Sequence, residues 1–310
     1  MTRKTTGNTH RSSHHRRPVN VKNLLVATLL NFVITIAEFA GGILSNSLAL
    51  LSDALHNLSD TFATFIAYLA IKIGKRDADM KKTFGYKRIE ILAALLNAVI
   101  LIIMSIYLVR EAYLRWQDPQ PIKSMIMLVV GMIGLLANVF AVVILRKDSG
   151  KSINVKAAYV HLIGDSLSSV VVIIGGILIQ LFEVYWIDPL ITLLICIYLI
   201  REAFIILKES VNILMQTTPS DLDLSGVKKA VEKLPQVNNI HHLHAWNLTE
   251  KLIHLEAHVE MSRDLKLSEL KSVQKKIEKL LYEDFNIQHV TLQFEFQTEH
   301  VKQLIHTEKK

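Results

Sequence analysis

Two segments of the sequence carry the same pair of side chains at the same spacing. His56 and Asp60 are four residues apart, and so are His161 and Asp165. On an α-helix, residues i and i+4 lie on one face, so each segment would present an imidazole beside a carboxylate. If the two faces meet, two nitrogens and two oxygens converge on one point. This donor set suits tetrahedral Zn²⁺, and it also accepts Co²⁺ or Cd²⁺.

The charge of such a site indicates what it would do. Two carboxylates and two neutral imidazoles balance one divalent cation. Without metal, the same groups would take up protons, so metal and protons would compete for them. The pattern therefore predicts exchange of a metal ion for protons. Asp53 shares the face of Asp60 by spacing, and we interpret it as an access-path residue or a helix cap rather than a ligand.

Both segments lie in long apolar blocks, which are the elements that must position them. A helix needs about 20 apolar residues to span a membrane, and an ionisable residue within a span marks function. The sequence therefore predicts six transmembrane helices in residues 22–208, after a basic tail of residues 1–21. The six blocks are residues 22–44, 47–73, 88–110, 122–145, 155–181 and 188–208.

The net charge of +7 is unevenly distributed. Residues 209–310 hold 13 Lys/Arg and 15 Asp/Glu, a balance of −2, which leaves +9 for the first 208 residues. The excess lies in the tail and in the loops KIGKRDADMKKTFGYKR and RKDSGKSINVK. Lys and Arg accumulate on the cytoplasmic side, so with six spans we expect both termini to be cytoplasmic. Short loops without organellar signals favour a bacterial plasma membrane. The basic charge then reflects topology, and we expect no nucleic-acid partner.

Several function classes are disfavoured. The single cysteine, Cys196, excludes an intrachain disulfide and a thiolate metal cluster. The sequence has no HExxH motif, serine nucleophile elbow or Gly-rich phosphate loop, so we do not expect an enzyme. A membrane metal sensor that binds without transport stays open as an alternative. So does an exporter whose main substrate is Cd²⁺, Co²⁺ or Mn²⁺.

Residues 209–297 have the composition of a soluble domain, followed by a tail at 298–310. Their pattern predicts the order helix, strand, strand, helix, strand, with helices at 223–234 and 267–285. The strands are expected near 240–248, 252–260 and 289–296. This αββαβ order predicts a small α/β domain with its helices on one face of the sheet. On a regular strand, His241 and His244 would point to opposite faces.

The sequence resembles the cation diffusion facilitator family, in its zinc/cobalt/cadmium efflux branch, over about residues 20 to 297. The stretches that carry the resemblance are SLALLSDALHNLSD (47–60), TFGYKRIEILAALLNA (83–98), NVKAAYVHLIGDSLSSV (154–170), WIDPLITLLI (186–195), LHAWNL (243–248) and EAHVEM (256–261). The resemblance implies six transmembrane helices, a metallochaperone-like cytoplasmic domain, a homodimer, and export of Zn²⁺ in exchange for protons.

The resemblance also implies roles for particular residues. His56, Asp60, His161 and Asp165 match the transport site of the family. His241 or His244, together with His258 and Glu295, match positions around cytoplasmic metal sites, where Zn²⁺ would regulate. The chain departs from many relatives in one respect. Its loop RKDSGKSINVK has no histidine, and the basic tail has only His10, His14 and His15.

Overall fold

A computed structural model of the chain describes residues 21–74, 78–146, 153–297 and 303–305. The three tail histidines lie outside these residues, as do the loop at 147–152 and most of the tail at 298–310. The described residues form two compact units. One unit draws on the described residues within 21–61 and 104–199, and the other on those within 62–103 and 200–305.

Six long helices occupy the region of the apolar blocks. Within the described residues, α3 to α6 contain segments that are long and apolar enough to cross a membrane, and Leu29–Ser45 forms a shorter apolar helix. The predicted α-helical membrane domain is confirmed. The helices are α1 (Val21–Ser45), α2 (Leu48–Gly74), α3 (Ile89–Gln117), α4 (Ser124–Arg146), α5 (Ile153–Phe182) and α6 (Ile187–Leu214).

Two of these helices run past the ends that the apolar blocks suggest. α3 continues to Gln117 rather than 110, and α6 continues to Leu214 rather than 208. Hydropathy marks where charged residues begin, whereas a helix ends where its backbone hydrogen bonds end. Arg115 stabilises the extra turns of α3 by one contact within the helix and one to the turn between α1 and α2. The Arg115 guanidinium lies 3.8 Å from the Glu111 carboxylate and donates a 2.6 Å hydrogen bond to the carbonyl of Asn46.

A buried carboxylate on α6 fixes the start of α2. The first N–H groups of a helix have no partner within the helix and need acceptors when they are buried. The Asp188 carboxylate accepts hydrogen bonds from the backbone N–H groups of Leu48 (2.8 Å) and Ala49 (3.2 Å), and from the hydroxyl of Ser47. Its negative charge also suits the positive end of the helix dipole. This contact sets the position of α2, which carries His56 and Asp60.

The C-terminal region forms the predicted small α/β domain, in the order α7, β1, β2, α8, β3. β1 pairs antiparallel with β2, and β2 pairs parallel with β3 through the α8 crossover. One face of the sheet packs on both helices through residues such as Ile240, Leu255 and Ile277. The bounds are α7 (Leu224–Glu232), β1 (Val237–Thr249), β2 (Leu252–Met261), α8 (Leu267–Phe285) and β3 (His289–Glu295).

The other face of the sheet is polar and is shaped by a bulge in β1. His241 pairs with His258, and His244 pairs with Glu256, so three residues of β1 advance against two of β2. The extra residue, His242, has φ 51°. Directly opposed residues point to the same side of a sheet, and a bulge shifts the alternation by one. His241 and His244 therefore share the polar face, which corrects the expectation of opposite faces on a regular strand.

Candidate metal sites

The repeated spacing brings its four residues together in one cluster, here called the helix cluster. His56 and Asp60 lie on α2, and His161 and Asp165 lie on α5. One ligand atom from each residue lies within 4.8 Å of the other three. Across the helices, His56 Nε2 is 3.3 Å from Asp165 Oδ1, and His161 Nε2 is 3.1 Å from Asp60 Oδ2. Each imidazole thus faces the carboxylate of the opposite helix.

These separations match a tetrahedral metal. With metal–ligand bonds of about 2.0 Å, the ligands of a tetrahedral zinc site lie about 3.3 Å apart. Within each helix, His56 Nδ1 is 3.5 Å from Asp60 Oδ2, and His161 Nε2 is 3.7 Å from Asp165 Oδ2. The contact of His56 with Asp60 uses Nδ1, however, and one imidazole offers only one nitrogen to a given ion. The set that suits one ion is therefore His56 Nε2, Asp60 Oδ2, His161 Nε2 and Asp165 Oδ1, whose cross-helix distances are 3.3 and 3.1 Å.

The helix cluster lies at the edge of a cavity of about 780 Å³. Asp165 is 1% exposed, whereas the side chain of His161 is 41% exposed. The cluster therefore has a buried end and an open end. The cavity wall is mostly apolar and includes Val171, Leu194 and Tyr198. An ion in the cavity could reach His161 first and lose its water shell as it approached Asp165.

Two buried polar contacts surround the cluster without belonging to it. Asp53 accepts a hydrogen bond from the Ser168 hydroxyl, which links α2 to α5. Asn57, next to His56, donates a 2.7 Å hydrogen bond to Glu38 on α1. Asp53 lies in the second turn of α2, so it is not a helix cap. Sequence alone marks these residues only as polar positions in apolar blocks.

The second candidate site, here called the sheet cluster, lies on the polar face of the small sheet. Glu295 on β3 has Oε1 2.7 Å from His258 Nδ1 on β2 and Oε2 3.4 Å from His241 Nε2 on β1. One ligand atom from each residue lies within 4.8 Å of the other two. His241 is 2% exposed and Glu295 6%. The three residues come from three strands, and only His258 is appreciably exposed, at 25%.

His244 does not join the sheet cluster. It lies opposite Glu256, one step along the sheet from the pairing of His241 with His258. Of the two β1 histidines left open by the sequence, the structure therefore brings His241, and not His244, to Glu295 and His258. The register that decides this depends on the bulge at His242, and no residue type in the sequence marks that bulge.

Sequence reasoning missed Tyr198 on α6. Its ring lies edge-on to the His56 imidazole, with the ring centroids 6.0 Å apart, and it lines the cavity. In the sequence, Tyr198 stands among Ile and Leu residues and resembles a lipid-facing side chain. Only the packing of α6 beside α2 places it next to the helix cluster.

Comparison with known families covers nearly the whole chain. Residues 24–215 match the model described as "Cation efflux transmembrane domain". Residues 219–297 match the one described as "Cation efflux protein, cytoplasmic domain", whose name refers to a dimer. The chain belongs to the cation efflux family. The resemblance to the zinc/cobalt/cadmium branch is confirmed, and the family consists of transporters rather than enzymes.

Curated relatives match over most of their own length. The metal cation efflux system protein CzcD of Cupriavidus metallidurans is 41% identical over 283 residues, covering 91% of this chain and 89% of that protein. A "Cadmium, cobalt and zinc/H(+)-K(+) antiporter" of Bacillus subtilis is 38% identical, covering 91% of each chain. The zinc transporter ZitB of Escherichia coli is 35% identical, covering 94% of this chain and 92% of that protein.

Proposed function

We propose that this cation efflux protein exports divalent metal from the cytoplasm in exchange for protons, with Zn²⁺ as the main substrate. The helix cluster is the transport site. The observation that carries the proposal is that four ligand atoms on two membrane helices lie within 4.8 Å of one another beside a cavity. Ionisable groups in membrane helices are expensive, and a transported ion accounts for all four.

Proton coupling follows from the composition of the helix cluster. Its two carboxylates and two imidazoles neutralise Zn²⁺ when the imidazoles are uncharged. When the metal leaves, two negative charges would remain in a region of low dielectric, which is costly. Protons on the imidazoles or carboxylates remove that charge. Metal binding then displaces protons, and proton binding displaces metal.

Zinc is favoured by the donor set and by the relatives. Two imidazole nitrogens with two carboxylate oxygens suit Zn²⁺, whereas a site of oxygen ligands alone would favour Mn²⁺. The names of these relatives mention zinc, cadmium and cobalt. Cd²⁺ and Co²⁺ are therefore secondary substrates in the proposal.

The sheet cluster is proposed as a regulatory zinc site. His241, His258 and Glu295 leave a fourth coordination position open, as a three-ligand zinc site does. Metal bound there would tie the three strands together and stabilise the domain through binding energy. We further propose that the chain is a homodimer with both termini in the cytoplasm. The dimer rests on the second family match, and the orientation rests on the basic loops.

Zinc flux into proteoliposomes under an imposed pH gradient tests the proposed function. We expect the intact chain to transport zinc while the pH gradient dissipates. We expect His56→Ala to lose that zinc flux. Asp118→Ala serves as the matched control. Asp118 is exposed in the connection between α3 and α4, and its side chain accepts a hydrogen bond from Gln120 in the same connection.

The sensor alternative predicts a different result in the same experiment. A sensor would bind zinc tightly at the helix cluster and show no flux in the intact chain. That outcome would reject the transport proposal. Flux that persists in His56→Ala would instead remove the helix cluster from the transport path.

A further inference from the structure

The polar face of the sheet carries a second histidine pair, apart from the sheet cluster. His254 on β2 is directly paired with His289 on β3, and their ring centroids lie 4.5 Å apart. Trp246 on β1 is opposite His254, and its ring lies 5.5 Å from the same imidazole. The three rings form a continuous aromatic surface at one end of the polar face.

The loop between α2 and α3 covers this surface through Phe84. The Phe84 ring, itself half exposed, meets His254 edge-on, with the ring centroids 5.6 Å apart. His254 is 5% exposed, and its Nε2 has no hydrogen-bond partner among the residues that the structure describes. A neutral imidazole tolerates this packing at modest cost. An imidazolium in the same place would be a buried charge with an unsatisfied donor, which is far more costly.

The charged groups around His254 disfavour the imidazolium further. Within the described part of the chain, the groups that act on it are His289 on β3 and the cations Lys87 and Arg88 on the loop. Burial first, and then these three groups, lower the pKa of His254. The contrast with the sheet cluster is chemical. There, Glu295 offers a carboxylate to two histidines, whereas here two histidines face two fixed positive charges, which repel a metal ion.

We propose that His254 is a proton-sensitive latch between the α2–α3 loop and the sheet. The neutral imidazole holds residues 83–88 in place, and protonation releases them. Release exposes His254 to water, where it binds a proton more readily than in the packed state. Protons therefore favour the released loop. The contact is fully stable above the ordinary histidine pKa of 6.5 and weakens as the pH falls below it.

Through this latch, residues 83–88, which lead into α3, would be released when the pH falls on the side of the membrane where the small domain lies. It requires no metal at either cluster. Its test therefore measures the loop itself and stands apart from the proposed transport function. The amides of Gly85 and Ile89 are suitable probes, because they donate hydrogen bonds to the carbonyls of Lys82 and Tyr86.

Hydrogen exchange of these amides in the full-length protein in lipid nanodiscs, at pH 8.0 and pH 5.5, tests the proposal. After correction for intrinsic exchange rates, protection in the unmodified chain should fall by up to about tenfold per pH unit below the ordinary pKa. His254→Phe, which keeps a neutral ring, should retain protection at both values. His254→Arg should lose it at both.

His289→Gln provides the matched control, because it removes a neighbouring imidazole that lowers the pKa of His254 and leaves His254 in place. It should leave protection at pH 8.0 unchanged and reduce the loss at pH 5.5. An equal pH response in the unmodified chain and His254→Phe overturns the proposal, as does normal protection in His254→Arg at pH 8.0. NMR titration of His254 in the unmodified chain gives a test without substitution, and a pKa at or above the ordinary value also overturns it.

Discussion

The helix cluster and the sheet cluster use similar side chains but differ in access. In the helix cluster, exposure rises from 1% at Asp165 to 41% at His161, and a cavity adjoins it. In the sheet cluster, His241 and Glu295 are buried, and the most exposed member, His258, is 25% exposed. The helix cluster is therefore open to a cavity at one end, whereas the sheet cluster is mostly buried. Under the proposed functions, this difference in access, more than residue type, separates passage of an ion from its retention.

The two clusters also differ in charge. Two carboxylates make the helix cluster neutral with a divalent ion, while the single carboxylate of the sheet cluster leaves one positive charge. The helix cluster lies in a membrane domain, where net charge is costly. The sheet cluster lies on the polar face of a soluble domain, where a residual charge is tolerated. Each charge balance therefore suits the surroundings of its cluster.

The largest effect is expected from Asp60→Ala. This change removes one of the two charges that bind the metal, so transport should fall by more than about 100-fold, beyond the loss typical for an outer-shell partner. The protein should stay folded, because the change removes a charge rather than burying one. Flux assays with Asp118→Ala as control measure this effect. Retained transport would reject the helix cluster as the transport site, and with it the comparison of the two clusters.

Glu295→Gln should separate the two clusters. In an Asp60→Ala background, only the sheet cluster should bind zinc. Replacing its one carboxylate by an amide should weaken that binding by about 10- to 100-fold, as the loss of charged ligation predicts. The zinc-dependent rise in melting temperature reports the change. A rise equal to that of the Asp60→Ala parent would exclude Glu295 as a ligand.

His56→Asp should alter selectivity more than rate. It converts a donor set of two nitrogens and two oxygens into one of one nitrogen and three oxygens. The transport of Mn²⁺ or Cd²⁺ relative to Zn²⁺ should rise by about tenfold. His244→Asp makes the same substitution outside both clusters and should leave the ratio unchanged. An unchanged ratio in His56→Asp would argue that the imidazole does not bind the ion.

The smallest effect is expected from His244→Ala. The bulge at His242 places His244 one step away from the sheet cluster, so zinc affinity there should change by less than about twofold. His241→Ala should lower it by more than about tenfold. Calorimetric titration of both variants in the Asp60→Ala background makes the comparison. Equal losses would mean that both histidines reach the metal.

The helix cluster could be predicted from sequence because its geometry is local. A spacing of four residues on a helix fixes which side chains share a face, and long apolar blocks reveal the helices. Predicting the helix cluster then needed only one assumption, that the His/Asp faces of α2 and α5 meet. The αββαβ order of the small domain was also visible, because amphipathic periods of 3.6 and 2 distinguish its helices from its strands.

The sheet cluster could not be fixed in the same way, because its geometry is not local. His241, His258 and Glu295 meet through strand register, which depends on a bulge and on a parallel pairing across α8. The extra residue, His242, places His244 on the same face of the sheet as His241, whereas on a regular strand the two would lie on opposite faces. The Asp188 contact with the start of α2 is equally hidden, since 140 residues separate Asp188 from Leu48.

Proton release on zinc binding tests the central claim most directly. Calorimetry of the Glu295→Gln chain in buffers of different ionisation enthalpy counts the protons that the helix cluster gives up per zinc ion. The account predicts release of about one to two protons per ion, because two carboxylates and two imidazoles exchange them for the metal. Adding Asp60→Ala should abolish the zinc binding and the proton release of the helix cluster, and leave only the weakened binding of the sheet cluster. Tight zinc binding with no proton release would contradict metal/proton exchange at this site.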